Sequence, residues 1–152
     1  MRQLVLVIHP GKIATLYIAS VIFLLNLAAC AVPISYYDAT TYTQLTSLKA
    51  ETTTPVESFD TKPYVENQKK IEETTLNLKK AYEYEKGKGN PNSDTTKQFK
   101  KIYGLFMDDV NDYKETEPGE LGQKYFQQAA ETLGQAFDIA ISTENLKNKD
   151  KQ

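Results

Sequence analysis

Apolar positions along this 152-residue chain fall into two regimes. From Ile13 to Ala29 they are nearly continuous, interrupted only by Thr15, Tyr17, Ser20 and Asn26. From Asp38 onward they recur every three or four residues among lysines and acids, the spacing that turns one face of an α-helix toward a core. Tyr42, Leu45, Leu48 or Lys49, Thr52, Val56 and Phe59 trace the first such face, with Asp38 placed as its N-cap. The β-branched run Thr52-Thr53-Thr54 and the missing amide hydrogen of Pro55 predict a break or kink near Thr54, with Pro55 opening a short second piece. The second face runs from Lys62 or Pro63 to Lys86 through Tyr64, Gln68, Ile71, Thr75, Leu78 and Tyr82. The third starts at Ser93 or Asp94 and carries Phe99, Ile102, Tyr103, Phe106, Val110 and Tyr113. The fourth has Pro118 in its first turn, followed by Leu121, Tyr125, Phe126, Ala129, Leu133, Ala136, Phe137 and Ala140. No segment alternates apolar and polar with the two-residue period of a strand, so the pattern predicts an all-α antiparallel bundle of three to four helices.

The continuous apolar run has its own logic. Arg2 and Lys12 precede it as a basic region, and it ends in Leu27-Ala28-Ala29-Cys30, where two alanines are small enough for a signal peptidase pocket. This tetrapeptide resembles the lipobox of bacterial lipoproteins. The resemblance implies that the Cys30 thiol is acylated, that the bond before it is cut after Leu27, Ala28 and Ala29 have been recognised, and that palmitate-type chains anchor the mature protein. A membrane helix retained along Ile13–Ala29 needs no cysteine at its end, yet the chain's one cysteine stands there. Two or three acyl chains, each methylene contributing about 0.8 kcal/mol, hold a protein on a bilayer where one chain would exchange. The domain organisation is then a signal peptide over 1–29, lipidated cysteine and tether over 30–37, a helical bundle over 38–146 and a polar tail over 147–152. By the sorting preference of known lipoproteins, Ala31 after the cysteine favours the periplasmic face of the outer membrane; in a single-membrane host the address becomes the outer face of the plasma membrane.

Composition narrows the chemistry. Across the chain 18 basic residues face 20 acidic ones; without Arg2 and Lys12 the mature part has 16 against 20. The mature part also lacks histidine, arginine and tryptophan, so its positive charge is all lysine. Histidine is the usual base near neutral pH and the commonest metal ligand, and arginine is the usual clamp for phosphate or carboxylate. Ser47, Ser58, Ser93 and Ser142 stand in neither a Ser-x-x-Lys nor a Gly-x-Ser-x-Gly setting. The expectation is therefore no enzyme, no cofactor and no metal. The loop Gly87-Lys88-Gly89-Asn90-Pro91-Asn92 follows a helix and lacks P-loop spacing, so it reads as a helix stop and turn. Asp108, Asp109 and Asp112 crowd one turn without the Asp-x-Asp-x-Asp-Gly pattern of a calcium loop.

Charge is unevenly spread. Residues 62–101 hold ten lysines against six acids, and residues 102–152 hold five against ten. The pairs Lys69-Lys70, Lys79-Lys80 and Lys100-Lys101 form a candidate surface for anionic lipid or an acidic protein. The export signal and the net acidic charge predict no nucleic-acid target. Tyr36 and Tyr37, beside the tether, suit a membrane interface. Together these features predict a membrane-anchored, non-enzymatic interaction or structural lipoprotein of the cell envelope with an envelope protein partner. Its size and anchor look like those of pilotins and of exclusion lipoproteins carried by mobile elements, likenesses of architecture without a shared motif. The alternative is a binding protein for a small apolar or aromatic ligand, lined by Tyr103, Phe106 and Tyr125 of the third and fourth helices.

Overall fold

A computed structural model describes residues 35–149; the candidate signal peptide, Cys30 and residues 31–34 lie outside the described residues, as do 150–152. Four helices make up the domain: α1 Ala39–Glu57, α2 Tyr64–Gly87, α3 Ser93–Glu115 and α4 Gln123–Lys149. Short 3₁₀ turns, Phe59–Thr61 and Asn90–Asn92, follow α1 and precede α3. There is no strand among the described residues. The all-α reading holds.

Asp38 caps α1 as its sequence position predicts, its side chain accepting from the Thr40 amide at 2.8 Å. Pro55 departs from expectation: it lies inside α1 instead of opening a second piece. It sits in the last turn, where a single missing backbone bond is least disruptive, and Pro55, Val56 and Phe59 are all buried. The carbonyl of Glu51, which the proline cannot serve, faces the Thr74 hydroxyl of α2 at 3.5 Å. The fourth helix also differs, starting at Gln123 instead of near Pro118. Gly119 and Gly122 both adopt left-handed backbone angles, φ +85° and +83°, which end any helical run between them. At its other end α4 continues to Lys149, past the boundary expected after Leu146, and Lys147 is buried instead of starting a polar tail.

α1 packs most extensively on α4, α2 on α3, with α3–α4 and α1–α2 completing a ring in chain order. One end of this ring gathers the start of α1, the end of α2, the start of α3 and the end of α4, since Thr41 bonds Glu85 and Lys147 bonds Thr95. Successive helices therefore run antiparallel, the up-down arrangement that short connections favour. The core is one cluster built from Leu45, Val56, Phe59, Leu78, Phe99, Ile102, Phe106, Phe126, Leu133 and Phe137, each nearly or wholly inaccessible to solvent. Every buried core residue among the described residues lies between Leu45 and Ala140, so a chain beginning at Ala31 carries all of them.

The two ends of the bundle differ chemically. At one end Phe59 stacks on Tyr113, centroids 4.1 Å apart and planes 7° from parallel, and Phe126 meets both edge-on. The Tyr113 hydroxyl donates to the Lys62 carbonyl at 2.6 Å and accepts from Asn67 at 2.8 Å, so its burial leaves no polar atom stranded. The other end is ionic.

Candidate functional site

Two glutamates occupy core positions at the ionic end. The buried line of α2 steps Ile71, Thr74, Leu78, Ala81 and then Glu85. Along α4 the same spacing leads from Phe137 and Ala140 to Glu144 and Lys147. Both glutamates are fully buried. Such placement is costly unless each carboxylate is paired and hydrogen-bonded.

Every oxygen is engaged. Glu85 Oε1 accepts from the Thr41 hydroxyl at 2.6 Å and from Lys88 Nζ at 2.9 Å, and its Oε2 from Asn92 Nδ2 at 2.6 Å and Lys88 Nζ at 3.1 Å. Glu144 Oε1 accepts from the Asp38 amide at 2.6 Å, and Oε2 from Lys147 Nζ at 2.7 Å. Asn92 joins the two halves. Its Nδ2 also donates to the Glu85 carbonyl at 3.0 Å, while its Oδ1 accepts from Lys147 at 3.1 Å and from the Ser35 hydroxyl at 2.8 Å. Lys147 completes its set on the Thr95 hydroxyl at 2.8 Å. Lys88 donates to the Thr41 oxygen and pairs with Asp38 at 2.7 Å, with its ammonium 4.4 Å from the Tyr84 ring centroid.

Asp38 thus has two duties, capping α1 and pairing with Lys88. Partial burial works to raise its pKa, but the bonds from Lys88, Tyr84 and the Thr40 amide outweigh it and hold the carboxyl well below the usual range. For Lys88, burial acts downward and the bonds to Asp38 and Glu85 act upward, leaving its pKa raised. The bond from Tyr84 to Asp38, 2.7 Å, raises the phenol. Three carboxylates and two ammonium groups thereby tie residues 35–38 to the α2–α3 loop and to the end of α4. Ser35 adds a backbone bond to the Pro91 carbonyl at 3.0 Å.

The lysine pairs singled out by charge are all exposed, and the fold distributes them over different faces. Lys79 and Lys100 come together on the α2–α3 groove, where with Tyr82, Glu83 and Tyr103 they line a cavity of about 380 Å³. Lys80 faces the α1–α2 groove beside Gln44, Ser47 and Asn77. Lys69 reaches Glu73 at 4.0 Å on α2, and Lys70 and Lys101 stand on the exposed surface. Leu27, Ala28, Ala29 and Cys30 lie outside the described residues.

The expected aromatic lining is also divided. Phe106 is in the core, Tyr103 is on the α2–α3 groove, and Tyr125 lines a shallow α3–α4 depression of about 190 Å³ with Leu105, Asp109 and Ala129. These three do not form one slot. The acidic turn abuts that depression: burial first, then the neighbouring charges of Asp112 and Asp108, push Asp109 up to about 6. Tyr125 bonds Asp112, which with burial and the acidic neighbours lifts the phenol to about 12. No set of three or more acidic, histidine or cysteine side chains among the described residues is arranged to hold a metal ion. Tyr36 is largely exposed and Tyr37 leans on Tyr42, centroids 6.4 Å apart. No described helix is long and apolar enough to cross a membrane. No family model, curated protein or solved structure matches the chain.

Proposed function

We propose that this chain is a bacterial lipoprotein, anchored through acylated Cys30, whose helical bundle serves as a non-enzymatic interaction or structural component of the cell envelope. One observation carries the reading: the single cysteine of the sequence stands directly behind Leu27-Ala28-Ala29 at the end of a basic-then-apolar leader. The described domain supports it in two ways. Its buried charges face one another, and the grooves described above are lined by other residues. Its first described residues, Ser35 to Asp38, are fastened to the ionic end. The covalent span from Cys30 to Ser35 reaches at most about 17 Å, so an acylated Cys30 keeps that end of the bundle near the lipid.

The test is metabolic labelling. Wild-type chain takes up labelled palmitate and fractionates with membranes, whereas Cys30→Ala accumulates as an unlabelled precursor. Equal palmitate incorporation by Cys30→Ala would overturn the anchor. In a host with two membranes, Ala31→Asp moves the protein from the outer to the inner membrane fraction; unchanged fractionation removes the outer-membrane assignment.

A further inference from the structure

The α2–α3 groove has a composition that selects a ligand class. Two depressions adjoin at Lys79: the cavity of about 380 Å³ beside Tyr82, Glu83, Lys100 and Tyr103, and one of about 300 Å³ lined by Ile71, Leu76, Met107 and Val110 together with Tyr64, Glu72 and Thr75. Each is within the size of small-molecule sites, roughly 300–1,000 Å³. The first end is cationic. Lys79 Nζ lies 5.9 Å from the Tyr103 ring centroid and Lys86 Nζ 5.7 Å from that of Tyr82, ring faces that hold ammonium groups at the edge of the slot. Neither Lys79 nor Lys100 has an ion-pair partner among the described residues. The two acids nearby are already engaged: Glu83 by Lys86 at 3.4 Å, and Glu72 by Gln68 at 2.9 Å. The hydroxyls of Tyr84, Tyr113 and Tyr125 are hydrogen-bonded, but those of Tyr82 and Tyr103 have no partner among the described residues.

We propose that this groove binds a single-chain anionic amphiphile. Its carboxylate or phosphate head rests beside Lys79 and Lys100, with the Tyr82 and Tyr103 hydroxyls as further donors. Its chain runs along the tyrosine faces into the Leu76–Met107 depression, removing apolar surface of both partners from water. Charge and polarity follow the same division: at the head end Lys79, Lys100 and two tyrosine hydroxyls outnumber Glu83, which Lys86 pairs, and at the chain end Ile71, Leu76, Met107 and Val110 outnumber Glu72 and Thr75. The proposal stands apart from the anchor, since it uses only side chains of α2 and α3.

The test uses the chain from Ala31 to Gln152, labelled for NMR and titrated with dodecanoate below its micelle concentration. Saturable amide shifts along α2 and α3 are expected. The exposed-lysine variant Lys79→Gln/Lys100→Gln weakens binding about five- to tenfold, the combined loss of two exposed charge contacts. Lys69→Gln/Lys70→Gln, on the same helix but lining neither depression, leaves the affinity unchanged. Equal binding of neutral dodecyl maltoside, no loss in the Lys79/Lys100 variant, or association confined to phosphatidylglycerol vesicles with no monomer binding would each overturn the proposal.

Discussion

Lys147→Met provides the sharpest test of the ionic end. The ammonium it removes is buried and bonds Glu144, Asn92 and Thr95. Glu144 is left fully buried, bound to the Asp38 amide but without a cation. Breaking one side of a buried pair in this way costs about 3–5 kcal/mol. Asn92 keeps the Ser35 hydroxyl and Thr95 can turn its own, so the upper part of that range is not required. Glu144→Gln alone retains an acceptor for the Asp38 amide but sets an amide donor against Lys147, at about 2–3 kcal/mol. The double variant removes both charges and leaves a methionine stem against a neutral amide, so its cost falls to about 1–2 kcal/mol. The cycle therefore shows a coupling of at least about 2 kcal/mol, well above the value for independent sites. Urea denaturation of the Ala31–Gln152 chain, followed by far-ultraviolet circular dichroism, measures all four corners; an unchanged slope certifies that stability and not the unfolded state has moved. Additive single costs, with coupling below about 0.5 kcal/mol, would refute the reasoning.

Two further outcomes concern other parts of the bundle. Asp109 binds its proton more tightly in the folded state, with its pKa raised to about 6, so its favourable contribution is complete in acid and is lost as pH rises through that value. Discounted for solvent screening at a half-exposed site, the ionised carboxylate costs about 1 kcal/mol; Asp109→Asn should stabilise by that amount at pH 7.5 and negligibly at pH 4, and equal gains at both pH values in urea melts would count against it. Gly134 lies inside α4, and an added Cβ would meet only Lys49 Cε at 3.7 Å and Thr53 Cγ2 at 3.9 Å, ordinary contacts. Gly134→Ala should raise stability by about 0.5–1 kcal/mol through helix propensity; a lowered melting temperature would mean that α1 and α4 tolerate no closer packing.

The bundle was legible because its faces are written in apolar residues at helical spacing. Phe99, Ile102, Phe106, Val110 and Tyr113 are read correctly from α3, and all five are buried. The ionic end was not, for a physical reason: a hydrophobic periodicity stops counting where the buried residue is charged. Continuing the steps of α2 past Ala81 lands on Glu85, and those of α4 past Ala140 land on Glu144 and Lys147, so position alone held the signal that residue type concealed. The cations that make such burial tolerable are local, Lys88 and Lys147 each standing three residues after their glutamate; further bonds, from the Thr41 hydroxyl to Glu85 and from the Asp38 amide to Glu144, come from the start of α1, and no local pattern connects them. The shifted start of α4 has a different origin, since Pro118 suits a helix start until the left-handed angles of Gly119 and Gly122 turn the chain away. Among the lysine pairs, doublets conceal geometry: adjacent residues on a helix point about 100° apart, so Lys79 and Lys80 serve different grooves.

The location of the ionic network also connects the domain to its proposed anchor. An acylated Cys30 would transmit any pull from the membrane to the bundle at Ser35, the first described residue. The chain there is held by two hydrogen bonds from Ser35 to the α2–α3 loop, by the Asp38 amide on Glu144 and by the Asp38 carboxylate on Lys88. Apolar contacts alone resist such sliding weakly, because they have no preferred direction. Charge-assisted hydrogen bonds are directional and stronger, and burial of Glu85 and Glu144 shields their bonds from competing water. The aromatic end, distant from this attachment, is closed by ring stacking and needs no such fastening. Under the proposed anchor, the end that accepts the chain is also the one that must resist its displacement, and there an ion-pair network is of more use than it would be in a free domain of the same size.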